Sequence, residues 1–167
     1  MWPHAFRATL TVTVGGPHLK VEFSIQNTGT TSFHFTGALH TYLGVRDIAA
    51  TVVENLGGCH YRESAKGIQD VIQVDPELSF TDEVDRIYMR APGQVAMREP
   101  GRRMVVKSSG FPDVVVWNPG PEKCAALGDM DPEGYRRMLC IEAPVISEPP
   151  EVLAGESWYG SQELTAQ

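Results

Sequence analysis

The chain has 167 residues, of which 42% are hydrophobic and 21% are charged, and its formal net charge is −7. This composition supplies a packed core for one domain over residues 1–167 and excludes an intrinsically disordered chain. The acidic balance argues against nucleic acid as a partner, since such binding needs a basic face, and it leaves no polybasic patch for a membrane surface.

The cysteines and the first residues favour a reducing compartment. Cys59, Cys124 and Cys140 are odd in number and widely spaced, so we expect free, partly buried thiols without a disulfide framework or a zinc motif. The N-terminus lacks the basic and apolar regions of a signal peptide, and no apolar run reaches the length of a membrane span. We therefore expect a cytoplasmic protein.

The predicted elements begin with a β-hairpin. Leu10, Val12 and Val14 alternate with threonines, and a second alternating run covers residues 19–25. Residues 15–17, Gly-Gly-Pro, form a turn signal between the two runs. Period-two alternation of this kind predicts antiparallel strands that bury one face.

The third alternating run covers residues 33–43 and predicts a strand with two different faces. Its apolar face carries Phe33, Phe35, Leu39 and Leu43, and its other face carries His34, Thr36, Ala38, His40 and Tyr42. An apolar back and a His/Thr/Tyr front suit a sheet that covers a core on one side and lines a groove on the other.

Further short strands follow, separated by glycine- and proline-containing turns. They are predicted over residues 68–74, 84–88, 95–98, 104–107, 114–117 and 138–146. One short helical turn is predicted at Asp131, and the tail from Glu148 is expected to wrap the surface. Many short strands at this spacing predict an all-β fold, an antiparallel β-sandwich or barrel.

Two metal-binding patterns fail on their spacing. Residues 129–134 open like a calcium loop, but Cys140 stands at the twelfth position, where a bidentate glutamate is needed. His34 and His40 are six residues apart, about 20 Å along a strand, and cannot share a metal without a bend. We expect no metal site and no cofactor.

Two polar residues, His40 and Glu142, stand inside apolar strand patterns. A carboxylate in an apolar strand costs free energy unless it is paired or faces a wet cleft. The pattern alone leaves two interpretations open. The two residues are either structural, as hydrogen-bonded core groups or side chains exposed by chance, or they form a functional pair.

The segments around these two residues resemble a known family. Residues 35–43, FTGALHTYL, resemble the histidine strand of the glucose-6-phosphate 1-epimerases in the aldose 1-epimerase superfamily, and residues 135–143, YRRMLCIEA, resemble their glutamate strand. Residues 81–88, 114–119 and 122–123 match further blocks in the family order, and residues 150–153, 155–158 and 160 resemble the closing segment. Ordered blocks over nearly the whole chain are more specific than any single motif.

The resemblance implies a supersandwich of antiparallel strands with a sugar groove on its concave face. His40 matches the family's general acid, Glu142 its general base, and Asp85 a carboxylate that contacts sugar hydroxyls. The implied reaction is interconversion of the α and β anomers of a hexose 6-phosphate, which needs an acid and a base but no metal or redox cofactor. Trp117 and Asn118 either line the groove or serve as a core tryptophan and a turn asparagine.

The resemblance also implies that the family's N-terminal portion, with the arginines that bind the sugar phosphate, is absent. Arg7, Arg46, Arg62 and Arg86 are expected to be surface or structural charges. Three interpretations stay open: a fragment, a homo-oligomer that covers exposed sheet edges, and a smaller member that keeps only a sugar groove. A non-catalytic carbohydrate-binding or remnant sandwich is the alternative to an enzyme.

Overall fold

The computed structural model describes residues 2–167, which form two antiparallel sheets and a short ribbon. In spatial order, the first sheet contains β1 (Phe6–Gly15), β2 (His18–Asn27), β16 (Ser157–Ala166), β12 (Arg102–Ser109), β11 (Gln94–Glu99), β6 (Val52–Glu54) and β9 (Glu77–Ser79). The second contains β4 (Gly37–Leu39), β14 (Met138–Val145), β13 (Val114–Asn118), β10 (Val84–Tyr88), β7 (His60–Glu63) and β8 (Ile68–Ile72), and β5 (Tyr42–Gly44) also pairs with β14. The ribbon joins β3 (Phe33–His34) to β15 (Glu151–Val152).

Helical structure is confined to short segments. One α-helix, α1, covers Gly120–Ala126, and 3₁₀ turns cover Ile48–Ala50, Ser64–Lys66 and Gly134–Arg137. No helix within residues 2–167 is both long enough and apolar enough to cross a membrane.

The main core lies between the two sheets, where the inward side chains of both meet. Leu56, Met97, Leu139 and Ile141 are fully buried there. A second apolar cluster contains Phe35, Phe111 and Val145, and Trp158 packs against it. The predicted all-β antiparallel sandwich is therefore confirmed.

The strand predicted over residues 33–43 is interrupted, although its two faces are as expected. Phe33, Phe35 and Leu43 are buried and Tyr42 is exposed. The break after Leu39 lets this segment pair with β14 twice, through β4 and again through β5. The polar residues 40 and 41 thus sit between two short pairings.

The prediction that the tail wraps the surface is wrong for its last part. Residues Ser157–Ala166 form β16, which lies inside the first sheet between β2 and β12. Its inward positions include Gly160 and the fully buried Gln162, so the sequence lacks the apolar alternation that marks a central strand.

The helical turn predicted at Asp131 begins slightly later, as the 3₁₀ turn Gly134–Arg137. The expectation that Asp131 caps this turn is wrong, because its N-cap is Glu133, without a side-chain capping hydrogen bond. The Asp131 carboxylate instead accepts a hydrogen bond from the Glu133 amide at 2.8 Å, just before the 3₁₀ turn. Helix α1 was not predicted. It contains Pro121 near its N-terminus, a position where proline is compatible with a helix.

Candidate active site

Strand β14 places Glu142 on the face of the second sheet that points away from the core. All eight residues of this strand are buried. Leu139 and Ile141 pack into the main core, so the alternate residues Cys140 and Glu142 face the other way. The same face carries Val115 and Trp117 of β13, which are register partners of Glu142 and Cys140.

His40 reaches Glu142 because the interrupted segment pairs with β14 on both sides of it. The Thr41 carbonyl accepts a hydrogen bond from the Ile141 amide at 3.2 Å, which fixes the backbone next to His40. His40 Nε2 then lies 3.2 Å from Glu142 Oε1. The His40 side chain is 50% exposed and the Glu142 side chain 9%, so the pair extends from the surface to the sheet. This outer face of the second sheet is the one expected to line a sugar groove, and it is called the groove face below.

The environment of Glu142 favours its neutral form. Burial raises its pKa to about 7, and the negative charge of Asp85 acts in the same direction. A carboxyl group with this pKa both accepts and releases a proton near neutral pH.

Asp85 lies on β10, where it is the register partner of Trp117. It therefore shares the groove face with Cys140 and Glu142, two strands away across the sheet. Burial raises the pKa of Asp85, Lys123 opposes this shift, and Glu63 and Glu83 add to it. The fold brings all three predicted site residues, His40, Asp85 and Glu142, to one face of one sheet.

Two aromatic rings hold the His40 imidazole. Tyr42 stacks on it with the ring centroids 4.8 Å apart and 10° between the planes. The Trp117 ring packs edge-on against both, with its centroid 6.2 Å from that of the His40 imidazole and 6.3 Å from that of the Tyr42 ring. Of its two expected positions, Trp117 therefore takes the one that lines the groove face. Tyr42 also contacts His40, although the sequence predicted only that it lies on the polar face of the strand.

Asn118 takes the other expected position, that of a turn asparagine. It is 1% exposed, and its Nδ2 donates to the carbonyls of Tyr135 and Met138 at 2.8 and 2.9 Å. Its Oδ1 accepts from the Gly120 amide, so the side chain ties β13, helix α1 and the start of β14 together.

Three of the four arginines expected to be surface or structural charges match that expectation. Arg86 is structural, because its Nε donates to the buried Glu63 carboxylate at 2.7 Å, and Arg7 and Arg46 form exposed contacts. Arg62 differs from these: it is the register partner of Ile87 on the groove face, and its buried Nε has no hydrogen-bond partner within residues 2–167.

The groove also contains a group of possible metal ligands. The donor atoms of His40, Cys140 and Glu142 all lie within 4.8 Å of one another. Cys140 was expected only as a buried thiol, and it is fully buried. Its position two residues before Glu142 on a strand is the sequence signal that places it on the same face.

Comparison with known proteins assigns the family. The sequence pattern of the family described as "Aldose 1-epimerase" matches residues 1–165. A protein of Cenchrus ciliaris assigned as a glucose-6-phosphate 1-epimerase is 35% identical over 99% of this chain and 52% of its own length. One from Escherichia coli K12 with the same assignment is 31% identical over 98% of this chain and 54% of its own length.

A solved structure agrees with these relatives. The crystal structure of a protein of Salmonella typhimurium assigned as a mutarotase superposes with a TM-score of 0.90 at 26% identity, over 99% of this chain and 55% of the other. The chain thus spans about half the length of the relatives it matches. With a family match over nearly all of its residues, this chain belongs to the aldose 1-epimerase family.

Proposed function

We propose that this site interconverts the α and β anomers of a hexose 6-phosphate by acid–base ring opening. The observation that carries the proposal is the contact of His40 Nε2 with Glu142 Oε1 at 3.2 Å, in which the imidazole is half exposed and the carboxyl group is buried. An acid and a base this close can act on neighbouring oxygens of one sugar ring once the ring lies against both.

In the proposed reaction, Glu142 accepts the proton of the O1 hydroxyl while His40 donates a proton to the ring oxygen O5. The C1–O5 bond breaks, which leaves an aldehyde at C1 and a hydroxyl at C5. Rotation about the C1–C2 bond presents the other face of the aldehyde, O5 attacks it, and both protons return. Proton transfer by positioned groups contributes roughly a hundred- to ten-thousandfold to the rate.

The groove offers further contacts for a sugar. The Asp85 carboxylate is proposed to accept hydrogen bonds from sugar hydroxyls, as the family resemblance implies. Trp117 presents an aromatic surface between Asp85 and Cys140 in the sheet. Aromatic rings beside polar groups suit a ligand with both apolar and hydroxyl-bearing faces.

Arg62 supports the choice of a phosphorylated sugar. Arg62, Ile87, Val115 and Glu142 are successive register partners on four neighbouring strands. Their backbones therefore span about 14 Å at the usual spacing between strands, so Arg62 and Glu142 lie on one face of the sheet with Ile87 and Val115 between them. Arginine binds phosphate through paired hydrogen bonds.

Exchange spectroscopy tests the function directly. Saturation-transfer NMR on the full chain measures α/β exchange of glucose 6-phosphate and of glucose. We expect catalysed exchange that His40→Ala and Glu142→Gln each reduce at least about a hundredfold, whereas His18→Ala and Glu122→Gln leave it unchanged. Unchanged exchange in both site variants would refute the proposal. Sugar binding by calorimetry without exchange would favour the carbohydrate-binding alternative instead.

Two further expectations, a cytoplasmic location and self-association, belong to the same proposal. A cytoplasmic location is supported by the free thiols of Cys59, Cys124 and Cys140, which suit a reducing compartment. Self-association through an exposed sheet edge is proposed for β1, all ten residues of which are exposed.

A further inference from the structure

A trio of different donor atoms lies on the groove face of the second sheet. His40 offers an imidazole nitrogen, Cys140 a sulfur and Glu142 a carboxylate oxygen, all within 4.8 Å of one another. The acid–base reaction uses the first and the last of these residues and gives Cys140 no role. The expectation of no metal site rested on two patterns, the spacing of His34 and His40 and the calcium-like loop at residues 129–134. Neither pattern combines His40, Cys140 and Glu142.

The backbone holds the three residues in place before any ion binds. Cys140 and Glu142 alternate on one face of β14, in the middle of the second sheet. His40 stands opposite them. The adjacent Thr41 is fixed by two hydrogen bonds: its carbonyl accepts from the Ile141 amide, and its hydroxyl donates to the buried Gln162 side chain. Two ligands from β14 and one from the break between β4 and β5 form a tripod on the sheet face.

The dimensions and the donor types suit Zn²⁺. Zinc–ligand bonds of about 2.0–2.3 Å in a tetrahedron place ligand atoms roughly 3.3–3.8 Å apart. The 3.2 Å separation of His40 and Glu142 is already close to this, and the sulfur, which lies within 4.8 Å of both, needs a shift of at most about 1.0–1.5 Å. A set of nitrogen, sulfur and oxygen donors favours Zn²⁺ or Co²⁺ over Mg²⁺ and Ca²⁺, which prefer oxygen ligands.

We infer that His40, Cys140 and Glu142 form a binding site for Zn²⁺, and that the bound ion shuts off the acid–base pair. Binding exchanges the thiol proton of Cys140, and any proton that His40 and Glu142 share, for the metal ion, and these protons pass to solvent. The half-exposed His40 leaves the fourth coordination position open to water from the groove. Metal binding stands on the geometry alone, whereas the inhibition rests on the proposed function.

The experiment uses Co²⁺ as a spectroscopic substitute for Zn²⁺ in the chelator-treated full chain. We expect saturable binding of a single Co²⁺, displaced by Zn²⁺, with a thiolate-to-cobalt charge-transfer band in the near ultraviolet. Cys140→Ala should abolish the band and weaken Zn²⁺ binding, measured by calorimetry, at least about tenfold. Cys124→Ala is the matched control, because Cys124 is also a fully buried free thiol, and it should keep the band.

A second variant covers a failure of Cys140→Ala to fold. His40 is half exposed, so His40→Ala leaves the core intact and should weaken Zn²⁺ binding to a similar extent. The inference is overturned if the chain binds no Co²⁺ saturably, or if the charge-transfer band persists in folded Cys140→Ala.

An activity measurement separates this inference from the proposed function. Zn²⁺ should lower the α/β exchange rate of the wild-type chain, and a chelator should restore it. If the metal-free chain catalyses no exchange, the proposed function fails while the cobalt band still decides the metal site.

Discussion

Arg62 combines a groove-facing position with a buried Nε that lacks a hydrogen-bond partner among residues 2–167. A buried donor without a partner is unfavourable, and a phosphate oxygen would relieve it. We predict that Arg62→Gln raises KM for glucose 6-phosphate about tenfold or more, since a hydrogen bond to a charged group is worth about 1.5–3 kcal/mol, and leaves KM for glucose unchanged. Steady-state rates on both sugars measure this difference.

The control for this prediction is Arg7→Gln, which removes an exposed arginine from the first sheet and should change neither constant. An equal rise of KM for both sugars in Arg62→Gln would show that Arg62 supports the groove without recognising phosphate.

Asp113 is a fully buried carboxylate that organises the end of β14. It accepts hydrogen bonds from the amides of Arg90, Ile146 and Ser147 at 2.7–3.0 Å and from the Ser147 hydroxyl. Burial by itself raises the pKa of Asp113, but the hydrogen bonds led by Ser147 outweigh it and lower the pKa below its usual value.

This lowered pKa predicts how stability depends on pH. A group with a lower pKa in the folded state stabilises the fold above its unfolded pKa, about 3.9 for aspartate. That contribution is lost as pH falls through the folded pKa. We predict that Asp113→Asn costs about 2 kcal/mol at pH 7 and that its difference from wild type shrinks below about pH 4. Urea unfolding at several pH values measures it, and a difference that stays constant down to pH 2.5 would contradict the assignment.

At the level of elements, β16 depends on a glycine that makes room for aromatic rings. A Cβ atom at Gly160 would lie 2.5 Å from the rings of both Phe111 and Trp158. Overpacking of this kind typically costs 1–3 kcal/mol. We predict that Gly160→Ala lowers the free energy of unfolding by about that amount, measured by thermal and chemical denaturation. Gly37→Ala is the matched control, because no heavy atom lies within 4 Å of that position, and equal losses in both variants would contradict the packing argument.

The elements also show what the sequence could predict. Strand β10 has the predicted bounds, and β13 differs by one residue, because β-branched and aromatic residues concentrate in both segments. Strand β16 was not predicted because its inward residues include Gly160 and Gln162. The buried Gln162 is satisfied by hydrogen bonds to the Ile141 carbonyl and the Thr41 hydroxyl. Such bonds depend on tertiary neighbours that local pattern does not contain.

For the candidate site, the sequence predicted the residues but not the contact between them. Residue type and family resemblance gave His40, Asp85 and Glu142, and strand alternation places Cys140 beside Glu142 once β14 is known. The contact between His40 and Glu142 depends on the break between β4 and β5, which aligns one segment with β14 twice. Alternation alone predicted one continuous strand there.

At the level of the whole molecule, the edges of the two sheets differ in how they are protected. Strands β4 and β9 are three residues long, and β8 is disturbed by an irregular register with β7 and by Asp70 at a φ of 54°. Strand β1 has ten exposed residues and a single charge, Arg7, near its start. Long, regular edges without charges or bulges readily pair with other strands.

The sequence of β1 is complementary to itself. Leu10, Val12 and Val14 are 55–73% exposed on one face, and threonines occupy the other. Two antiparallel copies about a twofold axis place threonine opposite threonine and apolar residue opposite apolar residue, with the two Arg7 charges at opposite ends. This arrangement satisfies the free backbone groups of both edges and extends one apolar surface across the dimer.

We therefore predict concentration-dependent dimerisation that Val12→Lys weakens at least about tenfold, equivalent to about 1.4 kcal/mol, because it places a charge in the middle of the apolar row. Sedimentation equilibrium measures the association, and hydrogen exchange should show protection of the β1 amides that do not bond to β2. Val74→Lys is the matched control, since Val74 is 86% exposed away from β1. A chain that stays monomeric at all concentrations, with rapidly exchanging β1 amides, would show that this edge is left to solvent.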